Sequence, residues 1–111
     1  MSRVLAFDFG ASTGRAILAE YNGEKIEYNE IHRFDNVLCE QNGMLCWDFD
    51  YLLGEVKKAI SLAENADSLA FDTWGVDYGM LDKDGNLVSK PVCYLSLIHI
   101  SEPTRRVVIS Y

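Results

Sequence analysis

A chain of 111 residues allows one domain at most and buries a smaller fraction of its surface than a full-sized enzyme domain does. Ten Lys and Arg against seventeen Asp and Glu give a formal net charge of −7, which argues against nucleic acid or an anionic membrane as a partner, because both need basic surface. No run approaches the roughly 18 apolar residues that span a bilayer, and Ser2-Arg3 leads into a strand pattern with no signal-peptide layout, so a cytoplasmic location is expected. Cys39, Cys46 and Cys93 lack CxxC spacing and read as reduced, packed thiols.

The first element is an apolar run, Val4 to Phe9. It is followed by the hydroxyl-rich turn Gly10-Ala11-Ser12-Thr13-Gly14 and by a second apolar run from Ala16 to Tyr21. This pattern predicts a β-hairpin with a functional turn. Gly10 and Gly14 are expected to accept positive φ and a close ligand, with Ser12 and Thr13 adding hydroxyls beside exposed N–H groups, a concave anion site. Asp8 would repel a bare phosphate unless a divalent cation or its waters lay between them. Arg15 either adds positive charge or faces solvent. A phosphate-binding turn and an ordinary tight hairpin are both compatible with these residues. The turn lacks the Gly-Lys-Ser/Thr ending of a P-loop, and it leads into a strand where a dinucleotide fingerprint would open a helix. Asp8-Phe9-Gly10 matches a protein-kinase tripeptide only by coincidence, since no nucleotide lobe precedes it.

Asn22-Gly23 signals a two-residue hairpin turn, and Lys25 to Phe34 alternates as a third strand. The slip between Tyr28 and Ile31 predicts a bulge there. His32 reads as a surface or hydrogen-bonded histidine. Asp35 to Cys46 reads as a polar loop with a turn at Asn42-Gly43, and Trp47 as a core aromatic. Asp48 is a candidate N-cap for an amphipathic helix over Phe49 to Glu64, on which Leu52, Leu53, Val56, Ala59, Ile60 and Ala63 recur at three- and four-residue steps. Gly54 is expected to allow a close helix–sheet approach.

A buried-strand run follows over Asp67 to Asp72, then a break and a second strand toward Leu81. Asp82 to Asn86 forms a turn, and strand character returns over Leu87 to Tyr94. The order predicts an α/β fold with a mixed sheet: three antiparallel strands, a helix and a returning strand. In Asp72-Thr73-Trp74-Gly75-Val76-Asp77, two carboxylates, a hydroxyl and an indole cluster at a strand end. That set suits a sugar, whose hydroxyls donate to the acids while its apolar face lies on the ring. A core Trp74, a turn-forming Asp72 and a solvated Asp77 would account for the same residues.

Asp8 to Arg15, Glu30 to Asn36, Gln41-Asn42-Gly43 with Trp47-Asp48, and Phe71 to Tyr78 together resemble the N-terminal part of the FGGY carbohydrate kinases. The likeness runs from about Val4 to Tyr94. Ala11 narrows it, because most members acting on other polyols carry Thr after the first Gly. The resemblance implies a partial ribonuclease-H-like domain of the kind shared with actin, Hsp70 and hexokinase. It implies phosphoryl transfer from ATP to a sugar, with Ala11, Ser12, Thr13, Gly14 and Arg15 as the ATP-phosphate loop. Asp8 would be an outer-sphere partner of Mg²⁺, Gly75 a backbone contact to the sugar, and Asp72, Thr73 and Trp74 the sugar pocket. The general-base Asp of the family, in a His-Asp-Thr stretch, is expected beyond residue 111 together with a second domain, so the fragment alone is expected to be inactive and poorly stable. Residues 1–94 are read as the truncated first domain. Residues 95–111 depart from the family pattern and resemble a translated sequencing-library adaptor, so Leu95 to Tyr111, His99 included, is expected to be a non-native tail. Setting the tail aside removes two arginines and one glutamate and takes the net charge to −8.

Overall fold

The computed structural model describes residues 2–94, and the expected tail therefore lies outside the described residues. The chain divides into two compact units. Of the described residues, the first comprises 2–36 and 50–74, and the second 37–49 with 75–94.

The first unit contains strands β1 (Ser2–Phe9), β2 (Thr13–Tyr21) and β3 (Ile26–Asp35) and, later in the chain, most of the helix α1 (Phe49–Leu62) and the strand β6 (Ser68–Asp72). Its sheet has the order β3-β2-β1-β6, antiparallel across the first three strands and parallel between β1 and β6. This is the expected mixed sheet, because only a helical crossover returns the chain parallel to β1. Leu5 and Phe7 of β1 and Ala16 of β2 face Ala59 and Ala63 from α1 and the segment after it, with Phe9, Leu18, Ile31 and Val56 packed around them. Alternate residues on each strand thus supply one apolar face, and the helix covers it.

The β2–β3 register shifts between Ala16 and Ile17, opposite His32 and Glu30, which leaves Ile31 as the extra residue of a bulge. The bulge turns Ile31 onto the core face despite its odd spacing from Tyr28. The β2–β3 connection differs from the two-residue turn expected: Tyr21 pairs with Ile26, and Asn22 to Lys25 form a four-residue loop. The Asn22 side chain accepts from the N–H groups of Glu24 and Lys25, each at 2.9 Å, and Gly23 adopts φ 99°.

On α1, Leu52 and Ala59 are buried, whereas Leu53 and Ile60 are exposed. Gly54 has nothing within 4 Å of where a Cβ would stand, so the close helix–sheet approach expected of it does not occur. The helix ends at Leu62, two residues early, and Asn65 takes φ 60°, a conformation asparagine tolerates. Every residue of β6 is exposed, including Leu69 and Phe71, so the strand read as buried is an edge open to solvent.

In the second unit the expected polar loop is instead a hairpin, β4 (Leu38–Gln41) paired with β5 (Met44–Trp47). Asn42 and Gly43 both have positive φ, 55° and 78°, as a two-residue primed turn demands. Cys46 and Trp47 are buried here, and Val92 forms a single bridge to Cys46. Neither strand expected between Val76 and Tyr94 forms beyond isolated bridges at Leu81–Leu87 and Cys46–Val92. A run of strand-like residues becomes a strand only where a neighbour takes up its backbone groups. Among the described residues no helix is long and apolar enough to cross a membrane.

Candidate functional site

The parallel pair β1 and β6 ends side by side, and ligands of open α/β sheets bind outside such carboxyl ends. From β1 the chain passes into the Gly10-Ala11-Ser12 turn, and from β6 into Thr73 and Trp74. The β1–β6 register sets Asp8 directly beside Asp72, and the β1–β2 register sets Asp8 opposite Arg15.

Arg15 is ion-paired rather than merely solvated. Its Nε and Nη2 lie 3.2 and 3.1 Å from the same oxygen, Oδ2 of Asp8. Asp8 Oδ1 takes no part in that pair. Asp72 and Thr73 are exposed. Asp8 and Asp72, carboxylates on adjacent strands, are hard oxygen donors of the type Mg²⁺ accepts. Among the described residues no group of three His, Cys, Asp or Glu side chains gathers as a metal site. One or two carboxylates with the remaining positions held by water and phosphate is the usual Mg²⁺ arrangement, so the donor set fits an ion held chiefly by a nucleotide. Asp8 and Asp72 are the residues that would approach it.

The turn is tight at its base, where the Gly10 N–H donates to the Thr13 carbonyl at 2.8 Å. Ala11 and Ser12 are exposed, and among the described residues their N–H groups have no acceptor within the chain. Two consecutive unpaired N–H groups beside the Ser12 and Thr13 hydroxyls can accommodate phosphate oxygens. The glycines serve differently from expectation, since neither Gly10 nor Gly14 has positive φ. Gly14 is required by packing: a Cβ there would stand 2.3 Å from Cζ of Phe34, its partner across the β2–β3 ladder. A Cβ on Gly10 would meet the Thr13 oxygen at 3.2 Å.

Trp74 is neither simple core nor an unengaged platform. Its Nε1 donates to the Gly10 carbonyl at 3.0 Å, and its ring lies against Phe9 at 5.6 Å between centroids. Phe9 also stacks with Phe71 and meets Phe34 edge-on, so an aromatic cluster underlies the turn. Asn36 holds the turn from the opposite strand end. Its side-chain amide donates to the Gly10 carbonyl and its backbone N–H donates to Ser12 O at 2.8 Å. The sequence marks Asn36 only as part of a motif, because nothing local shows that the end of β3 lies against the turn.

Gly75 and Asp77 belong to the second unit. No atom stands within 4 Å of a Cβ position on Gly75, so its backbone is open to approach. Asp77 is not the solvated carboxylate of the alternative reading. Its Oδ2 accepts from Trp47 Nε1 at 2.5 Å, and burial raises its pKa above the ordinary carboxylate value while the indole and the Tyr94 backbone act the other way. His32 is held in the first unit by Glu55, Nε2 to Oε2 2.6 Å, a hydrogen-bonded histidine as expected.

No protein-family model matches the chain. It is 43% identical over 97 residues to the rhamnulokinase of Mannheimia succiniciproducens, 82% of this chain and 20% of that protein. It is similar to rhamnulokinases. The rhamnulokinase of Halalkalibacterium halodurans shares 42% identity over 98 residues, and that of Klebsiella pneumoniae 44% over 96. The chain therefore spans about a fifth of the length of the curated rhamnulokinases it matches, while those matches cover four-fifths or more of the chain.

Proposed function

We propose that residues 1–94 are the N-terminal part of a rhamnulokinase, which transfers the γ-phosphoryl of ATP to the 1-hydroxyl of L-rhamnulose and releases ADP and L-rhamnulose 1-phosphate. The observation that carries this reading is an exposed turn with unpaired N–H groups, set at the carboxyl ends of a parallel strand pair beside two carboxylates, in a chain similar to rhamnulokinases. Phosphoryl transfer consists mainly of positioning and charge neutralisation, and this is what these groups can supply. Ala11, Ser12, Thr13, Gly14 and Arg15 form the ATP-phosphate loop. Asp8 would hold Mg²⁺ through water, and the ion would supply neutralisation of the phosphate charge.

Asp72, Thr73 and Trp74 shape the sugar side, and the Gly75 backbone contacts the sugar. The base that accepts the hydroxyl proton is contributed by a longer protein of which this chain is a piece. The reaction is cytoplasmic, and residues 95–111 are a non-native tail.

The test begins with a long read of the source DNA across the codons for Tyr94 and Leu95, followed by expression of the full-length product. ADP release is then measured with L-rhamnulose and with a panel of other ketoses and polyols. Turnover strongest on L-rhamnulose and abolished by EDTA is expected. Preference for another sugar would reassign the substrate, and nucleotide binding without turnover on any sugar would leave a non-catalytic ATP-binding module.

A further inference from the structure

One acceptor atom in the first unit has both of its lone pairs engaged by side chains. The Gly10 carbonyl oxygen receives the side-chain amide of Asn36 from the end of β3 and the indole N–H of Trp74 from beyond the end of β6. The N–H of the same glycine is committed to the Thr13 carbonyl, and the Asn36 backbone N–H to Ser12 O. The first peptide of the turn is thus held from both flanking strand ends, while among the described residues the Ala11 and Ser12 N–H groups have no acceptor. Asn36 Oδ1 is buried and has no partner, so its amide is oriented by what its nitrogen bonds rather than by its oxygen. Reversing that amide would set oxygen against oxygen at Gly10.

An anion-binding turn is effective only when its donors are fixed before the ligand arrives, because ordering them afterwards costs affinity. We propose that Asn36 and Trp74 are positioning residues that fix the phosphate turn through the shared Gly10 carbonyl, and that Trp74 thereby links the sugar-side end of β6 to the nucleotide side. This rests on the phosphate-turn reading above. Neither side chain is required to touch phosphate.

Two near-isosteric changes remove the donors; Asn36→Asp also adds a negative charge, whereas Trp74→Phe adds none and is the cleaner measure of a lost donor. Asn36→Asp keeps the shape and the backbone N–H but replaces the amide nitrogen with an oxygen. Trp74→Phe keeps a ring against Phe9 and removes the indole N–H. In the full-length protein, calorimetry with Mg²⁺ and the imido analogue of ATP measures nucleotide affinity without turnover, and steady-state kinetics with L-rhamnulose measures the KM for sugar. Each single variant should weaken analogue binding about 5- to 20-fold, the scale of one lost hydrogen bond at a constrained site. The sugar KM should stay within about twofold for Asn36→Asp, a split that general destabilisation would not produce. Because both donors act on one oxygen, the double variant should fall well short of the product of the two effects.

Unchanged analogue affinity in both single variants, or multiplicative effects in the double variant, would overturn the proposal. If Asn36→Asp fails to fold, Trp74→Phe alone decides: unchanged analogue affinity refutes the link. Absence of sugar phosphorylation in the wild type with the affinity pattern intact would overturn the proposed substrate and leave this inference standing.

Discussion

Replacing Gly14 with alanine sets two known effects against each other, and the structure decides between them. Gly14 does not have positive φ, so alanine suits its backbone and would restrict the unfolded chain, a gain of about 0.4–1 kcal/mol. The added Cβ, however, would stand 2.3 and 2.5 Å from Cζ and Cε2 of Phe34, where about 3.5–4 Å is required. The Phe34 ring must therefore retreat by more than about 1 Å. It is buried and cannot swing into solvent, and it meets Phe9, His32 and Tyr51 at centroid distances of 5.8, 5.7 and 6.4 Å. Overpacking of this kind costs about 1–3 kcal/mol, and disturbing an aromatic pair about 0.5–1.5 more.

The loss exceeds the gain, and Gly14→Ala should destabilise by about 1–3 kcal/mol. Urea denaturation followed by far-UV circular dichroism should show a lower midpoint with an unchanged slope. Phe34→Leu in the same background should recover part of the loss, since the leucine is shorter where the ring meets the new methyl. A Gly14→Ala protein as stable as the parent, or a double variant whose effects simply add, would refute the packing account.

Phe7 is buried and stacked on Phe71 at 4.8 Å, so Phe7→Ala should cost about 3–5 kcal/mol in the same urea assay, whereas Leu53→Ala on the exposed side of α1 should cost under about 1. Arg15→Ala breaks an exposed ion pair and should change stability by less than about 1 kcal/mol. In the full-length protein the same change should raise the KM for ATP, which a coupled ADP assay reads. Asp77 is held above its ordinary pKa chiefly by burial, so folding favours its protonated form. Its contribution to stability is fully present below the ordinary value of 3.8 and is lost as pH rises through the raised value. Asp77→Asn should therefore remove a component that declines with rising pH just above 3.8, seen as a flatter profile of thermal midpoint across that window. An identical profile for the two proteins would contradict the burial.

Several features were determined by sequence alone because their causes are local. Period-two runs separated by Gly10 to Gly14 specify the first hairpin, and the slip between Tyr28 and Ile31 specifies the bulge, which carries Ile31 to the core while Tyr28 stays exposed. The apolar steps along Leu52, Val56, Ala59 and Ala63 specify the helix. The motif residues of the turn and of Asp72 to Trp74 mark the two stretches that the fold then brings to one end of the β1–β6 pair.

Tertiary structure decided what depends on partners distant in sequence. Leu38–Gln41 and Met44–Trp47 are strands because each supplies the other's hydrogen bonds, whereas the more strand-like Val76 to Leu81 forms only an isolated bridge. Gly14 is glycine because Phe34, twenty positions on, occupies the space of its side chain, a reason no φ preference could disclose. Asp77 leaves the sugar-like constellation because Trp47 takes its carboxylate, and Asn36 joins the turn because β3 ends against it. Periodicity records which face a residue buries; which atom then meets its donors is determined only when the strand ends come together in space.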